Sequence, residues 1–449
     1  MASLINSAWL ILGCLGLGGL VLSLFRVPDQ EANPYLYITT GTALIFSLGL
    51  MGVPFQVLVW LLYLGTACAL WLAYQKRRLL SRRDASLYGL LLLLLIPLII
   101  ATLYSALRYW DARSIWFYYG KLMYFDHGLY SGKFPPPWCP APAYPKFSGV
   151  FSALSASLGG LWNEYLPKAA LMVPLAAMWL GVAGLSVRGW AKVAILAALV
   201  VLPGASLHGG YMDGWVAVFG ALGHLYFIDY GLTRRNRSLA CALVSLIFIA
   251  YFKNEGLPLA MISLAMMALA SLMLRMKPAV KGIMPLVLMV LLALVPVVIW
   301  RLYLHLTGLQ SPLFAGDVMG RIRVALDSGA AELIWQKLFM YTGAFWLWCA
   351  SLVFNVGCYF LGRYWRCPFA LSGRQYLLLS APWLTSIFYA AVLFTIYLLT
   401  PADLNWHLAT SAYRVIIASN LLLTLTLLLP ILLPMERGAD AAESMATSA

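Results

Sequence analysis

Long apolar runs alternate with short charged connectors along most of the chain. Segments such as "LYGLLLLLLIPLIIATLYSAL" show no period-two alternation, so they read as helices rather than barrel strands. A run of about 20 apolar residues is long enough to cross roughly 30 Å of hydrocarbon as a helix. The pattern predicts about thirteen spans, near 8–25, 36–52, 55–74, 86–107, 167–186, 191–206, 212–230, 238–252, 256–274, 283–304, 338–361, 376–399 and 411–433. The second and third share a tight "MGVPF" connector, which leaves twelve as the other count.

Composition agrees with this pattern. The 449 residues are 63% hydrophobic and 10% charged, with a mean hydropathy of +0.85. A soluble domain carries about 25% charged residues. The net charge of +14 would suit nucleic acid if the basic residues formed one patch. They lie instead in connectors such as "KRRLLSRR" and "TRRNR". Connectors 75–85, 187–191, 231–237, 275–282 and 362–375 fall on one side if the spans alternate, and the positive-inside rule makes that side cytoplasmic. Membrane lipid is therefore the expected surrounding, and nucleic acid is not an expected partner. The first apolar run lacks the basic n-region of a cleaved signal and reads as a retained helix. Residues 435–449 read as a disordered cytoplasmic tail. The seven cysteines have no CxxC or Cys/His spacing that would imply zinc or a disulfide framework.

This topology leaves two long outer loops, 108–166 and 305–337. The first opens with "RYWDARSIWFYYGKLMYFDHGLY", a dense group of charges in an apolar chain. Ile115, Tyr118, Tyr119 and Leu122 recur at helical spacing, which predicts an amphipathic helix lying in the membrane interface. The proline-rich "FPPPWCPAPAYPKFSG" follows and predicts a stiff extended path. Asp111 admits two roles: a general base toward an acceptor hydroxyl, or a partner of Arg108 or Arg113 at a helix end. Three short outer motifs add to it. "HGGYMDGW" supplies His208 and Asp213, "FKNEG" supplies Lys253 and Glu255, and "NWHLATSAYR" supplies His407 and Arg414. Carboxylates and cations at one membrane level are the groups needed to move a substituent off a lipid phosphate.

The series "WDARSIWFYYGKLMY", "AYPKFSG", "GYMDGW", "FKNEG" and "SAYR" resembles the GT-C class of polytopic glycosyltransferases. It is most like bacterial members related to the dolichyl-phosphate-mannose mannosyltransferases. The likeness runs over 86–434 and leaves the helices of 1–85 outside it. It implies an all-α polytopic membrane protein in the bacterial inner membrane, with its active site facing the periplasm. The implied reaction is transfer of a sugar from a polyprenyl-monophosphate carrier to a hydroxyl of an envelope glycan, glycolipid or exported protein, with inversion. It assigns Asp111 as catalytic base and Lys253 and Arg414 as holders of the carrier phosphate. Tyr144, Lys146, His208, Asp213, Glu255 and His407 are the further candidates for substrate contact. Many relatives carry two adjacent acidic residues where Asp111 is followed by Ala112, which weakens the case for a metal in this loop. No histidine spacing points to a metal site, and a divalent cation stays open. The rival readings are a flippase for lipid-linked glycans and a polysaccharide polymerase or ligase of the O-antigen type.

Overall fold

The computed structural model describes residues 2–27, 33–76, 82–129, 141–277, 283–309, 317–364 and 372–432. Among these residues every regular element is a helix. Nine helices among the described residues are long and apolar enough to cross a membrane. A tenth crossing arises if Ala330–Met340 and Ala344–Phe360, bent by 59° at their junction, count as one span. The protein is thus an all-helical, polytopic membrane protein. The expected tail, 435–449, and the prolines of 130–140 lie outside the described residues.

All thirteen apolar segments are helical, but several are broken or short. The segment expected at 338–361 breaks at Gly343, whose φ of +75° is a left-handed turn. The last segment is split at Ile416 into Leu404–Val415 and Ile417–Leu432. Pro34–Leu50, Gly189–Val201 and Asn236–Phe252 are shorter apolar helices. Start signals are local. The Asn33 side chain accepts from the Leu36 amide with Pro34 in the first turn, and Ser372 with Gln375 forms a reciprocal capping box.

Burial sorts the helices. Leu166–Gly184 and Asp213–Thr233 are enclosed by the rest of the bundle. Ile283–Thr307 and Ala85–Tyr104 expose side chains such as Leu93, Ile100, Met284 and Val298. Outward apolar faces of this length suit lipid rather than water. The first helix, Ala2–Leu24, approaches its neighbours through glycines. A Cβ at Gly16 would overlap the Gly65 carbonyl, and one at Gly18 would overlap that of Tyr37. Close backbone contact between small residues replaces the hydrophobic drive that lipid removes. The Asn6 amide donates to the Ser155 carbonyl at 2.8 Å, and Tyr35 bonds Ser245 at 2.6 Å. Residues 2–76 therefore pack into the same body as the rest.

The described parts of three basic connectors, around Ser186, Arg235 and Arg374, meet at one end. Arg374 donates to the Gly231 carbonyl, and Arg235 donates to Ser186. Asp229 accepts from the Ser186 backbone and from Ser238 there. At the opposite end, loop 108–166 holds the anticipated helix as a π-turn, Ala112–Trp116, running into Phe117–Phe125. It also holds Phe147–Gly159, a buried apolar helix too short to register as a span.

Gly16→Val is expected to destabilise the folded protein in detergent by about 3 kcal/mol, the upper end of the usual overpacking cost, because the overlapping atoms are backbone. Gly89→Ala, at a position with open space around it, should leave the melting temperature unchanged or slightly raised. Thermal unfolding of the two variants side by side checks both.

Candidate active site

Four short devices bring distant charges together. The first is the glycine pair of "HGGY". A Cβ on Gly209 would press on the Tyr109 ring, and Gly210, at φ +89°, meets Ala112 and Phe117. The pair lets the segment before Asp213 lie against the segment around Asp111. Tyr211 then stacks near Tyr109, their centroids 4.8 Å apart. The second device is the π-turn after Asp111, a wide turn of the kind often found at functional sites. Ser148 of the buried helix donates to the Trp116 carbonyl at 3.2 Å.

The third device is "KNEG", the three-residue break between Asn236–Phe252 and Gly256–Met273. A Cβ at Gly256 would sit 2.5 Å from the Ile249 carbonyl oxygen, so glycine permits the sharp reversal. Asn254 donates to the Ala143 carbonyl at 3.3 Å, and the Trp300 indole donates to the same oxygen at 3.4 Å. Those bonds seat Tyr144, whose hydroxyl donates to Glu255 Oε1 at 3.3 Å. The Trp116 ring stacks on Tyr144 at 5.0 Å. The fourth device is the Leu404–Val415 helix, capped by Asp403. It carries Arg414, whose Nε donates to the Thr410 carbonyl and whose guanidinium lies 4.1 Å from the Tyr211 ring centre.

The result is a chain of alternating charges. Arg414 holds Asp111 Oδ2 at 2.6 Å and stands 3.8 Å from Asp213 Oδ2. Asp213 Oδ1 takes the Lys253 ammonium at 2.8 Å, and Glu255 Oε1 lies 3.6 Å from that ammonium. Asp213 opens the Asp213–Thr233 helix, where the backbone dipole favours a carboxylate. Asp213 and Lys253 are buried, while Asp111 and Arg414 are half-buried. Burial alone would push the Lys253 pKa down, but the Asp213 and Glu255 carboxylates raise it well above the ordinary lysine value. Burial, reinforced by Glu255, raises that of Tyr144.

This chain borders a cavity of about 210 Å³. Asp111, Tyr144, Lys253, Glu255, His407 and Arg414 all line it, with Leu393 and Ile396 as apolar wall. His407 bonds Thr400 through Nδ1 at 2.9 Å and packs against the Tyr397 ring. Asp111 pairs with Arg414 across 303 residues of sequence, rather than with Arg108 or Arg113. Asp213 sits behind the lining, joined to it through Lys253 and Arg414, and two candidates stand apart from the cavity. Lys146 is buried with its ammonium 3.3 Å from the Tyr119 ring centre. His208 ends the short Ala205–His208 helix, where burial and the nearby Lys168 lower its pKa. Tyr211 and Tyr397 were not singled out in the sequence. Tyr211 stands two residues before Asp213, and an aromatic adjoining a conspicuous carboxylate was the available signal.

Among the described residues no group of three or more His, Cys, Asp or Glu side chains is arranged to hold a metal ion. No family model matches the chain, and neither a curated protein nor a solved structure matches it.

Asp213→Ala should destabilise the fold by about 3–5 kcal/mol, since it strands Lys253 in a buried site. Adding Lys253→Met to it is expected to restore a large part of the loss. The folded-state pKa of Lys253 lies above its ordinary value of 10.5. Its contribution is therefore fully present below that value and is lost only as pH rises through the raised pKa. Thermal unfolding across pH 7 to 9 should show no loss assignable to this pair.

Proposed function

We propose that the protein is an integral-membrane glycosyltransferase that moves a sugar from a polyprenyl-monophosphate carrier to an acceptor hydroxyl. The observation that carries the reading is the convergence of Asp111, Asp213, Lys253, Glu255 and Arg414 beside one cavity. They meet at helix ends, away from the basic connectors, as expected for a site facing the non-cytoplasmic side. A transporter would place such groups near the bilayer midplane on broken repeats. Counting the bent pair and the three shorter helices Pro34–Leu50, Gly189–Val201 and Asn236–Phe252 as crossings gives thirteen, with Asp111, Asp213, Lys253 and Glu255 toward one side and Arg414 inside the last crossing, paired to Asp111. This count is compatible with the proposed GT-C type.

The carrier also finds a place. An apolar groove of about 590 Å³, lined by Pro258, Ile262, Phe388 and Val392, shares Ile396 with the cavity. A polyprenyl chain suits that groove, with its phosphate reaching Arg414.

In this mechanism the acceptor oxygen attacks the anomeric carbon as the bond from that carbon to the phosphate oxygen breaks. The lipid phosphate leaves with the electron pair, and Asp111 takes the acceptor proton. Attack opposite the leaving group inverts the anomeric centre. Arg414 is suited to the phosphate because its planar fork binds two oxygens at once. It must first exchange a carboxylate for the phosphate, since both acids beside it already occupy it. That exchange frees Asp111 Oδ2 when the donor arrives. Lys253 fixes Asp213 and so holds that carboxylate beside Arg414.

Asp111→Asn should lower transfer by about 100- to 10,000-fold with little change in melting temperature. Full turnover in that variant would remove Asp111 from the mechanism. Arg414→Ala should weaken binding of the lipid-phosphate donor more than binding of acceptor, and cost on the order of 100-fold or more in turnover. Mass spectrometry of envelope glycans and glycoproteins, with and without the gene, would identify the product.

A further inference from the structure

A second, larger space lies on the other side of the wall that carries Asp111. It is a cleft of about 1000 Å³, against about 210 Å³ for the cavity. Trp110 lines both. Along the π-turn, Ile115 and Trp116 line the cavity, whereas Arg113 and Ser114 line the cleft. The turn Ala112–Trp116 is thus a thin partition, and Asp111 stands at its edge.

The cleft has a distinct chemistry. Arg108, Arg113 and Lys121 line it and are exposed. Among the described residues, the ion pairs involve none of them. Trp110, Tyr118 and Trp162 add aromatic surface. Two carboxylates, Asp126 and Glu164, also line it. Arg108 and Arg113 flank Asp111 in the chain, whereas Asp126 lies about 20 Å from Arg113 at the helical rise per residue. The end nearest the proposed base is therefore positive.

We propose that this cleft receives the acceptor, and that the acceptor is an acidic saccharide whose rings carry phosphate or carboxylate groups. The assignment rests on the transferase reading above. Unpaired guanidinium and ammonium groups beside the reacting end bind such anions, Arg by two-pronged hydrogen bonds. Tryptophan and tyrosine faces pack against sugar rings, and the carboxylates accept hydrogen bonds from their hydroxyls. An acceptor seated there presents a hydroxyl to Asp111 from one side, while the donor reaches it from the other.

The test uses full-length protein in nanodiscs of zwitterionic lipid and measures direct binding of labelled probes. These are a phosphorylated oligomannose, an oligogalacturonate, neutral maltohexaose and oligoglutamate. At least one acidic saccharide should bind tenfold or more tightly than maltohexaose, and the phosphate and carboxylate arms identify the group read. The double variant Arg113→Gln, Lys121→Gln should lose tenfold or more of that affinity. Its melting temperature and its binding of the lipid-phosphate donor should stay unchanged. Equal binding of maltohexaose, or of oligoglutamate, would overturn the ligand class. So would competition by phosphatidylglycerol vesicles as effective as that of the saccharides, which would assign the cleft to lipid headgroups. Loss of donor binding in the double variant would place the donor there instead. Saccharide binding of the expected pattern without any sugar transfer would refute the enzyme and leave the ligand class standing.

Discussion

The site depends on one electrostatic constraint: charges removed from water must be satisfied by one another. Three carboxylates and two cations share this duty at the head of the bundle, in the order Asp111, Arg414, Asp213, Lys253, Glu255. Each cation serves two acids, and Asp213 is the acid that both cations share. The members come from four segments far apart in sequence, and their pairing fixes those segments relative to one another. The cluster also carries one more negative than positive charge. A lipid phosphate cannot simply add to it; it has to replace a carboxylate. Asp111 is the most exposed of the acids beside Arg414, and it is the one a phosphate displaces at least cost. Donor binding and release of the proposed base are thereby one event.

Backbone geometry, more than side-chain packing, makes the cluster attainable. Gly209, Gly210 and Gly256 remove the Cβ atoms that would hold the segments apart. Asn254 then ties the "KNEG" break to Ala143, and Trp300 shares that carbonyl. Tyr144 reaches Glu255 because the residue before it is held on both sides. In a bilayer such irregular backbone is tolerated only where protein or water surrounds it. The breaks at 253–255 and 209–212 meet this condition by lying at helix ends around a cavity.

The helices were legible because twenty-residue apolar runs have few alternative structures. Their breaks were less so. Gly343 and Ile416 interrupt segments read as single spans: the glycine at 343 was the available break signal, whereas Ile416 lies inside an unbroken apolar run, "VIIA". The helix Phe147–Gly159 escaped notice for a different reason: it is short, uncharged and follows a run of prolines. Of the candidate residues, Tyr144, Asp213, Lys253, Glu255, His407 and Arg414 share the site with Asp111. Lys146 and His208 sit in the right motifs but face elsewhere, because motif membership does not fix the side on which a residue emerges. The Asp111–Arg414 contact was beyond reach, since local spacing favoured Arg108 and Arg113.

The two ends of the bundle treat charge in opposite ways, and this accounts for the chain's net +14. At the connector end, Arg374 and Arg235 bond neutral oxygens and keep their charge available to a lipid surface. At the other end, Lys253 and Arg414 are held by carboxylates and contribute no net positive potential to the cavity. Arg108, Arg113 and Lys121, which enter no ion pair among the described residues, lie on the cleft side of the π-turn and the helix that follows it. One excess of basic residues thus serves two purposes. Much of it lies in the connectors, where the positive-inside rule would have it orient the helices, and a small remainder lines the cleft beside Asp111.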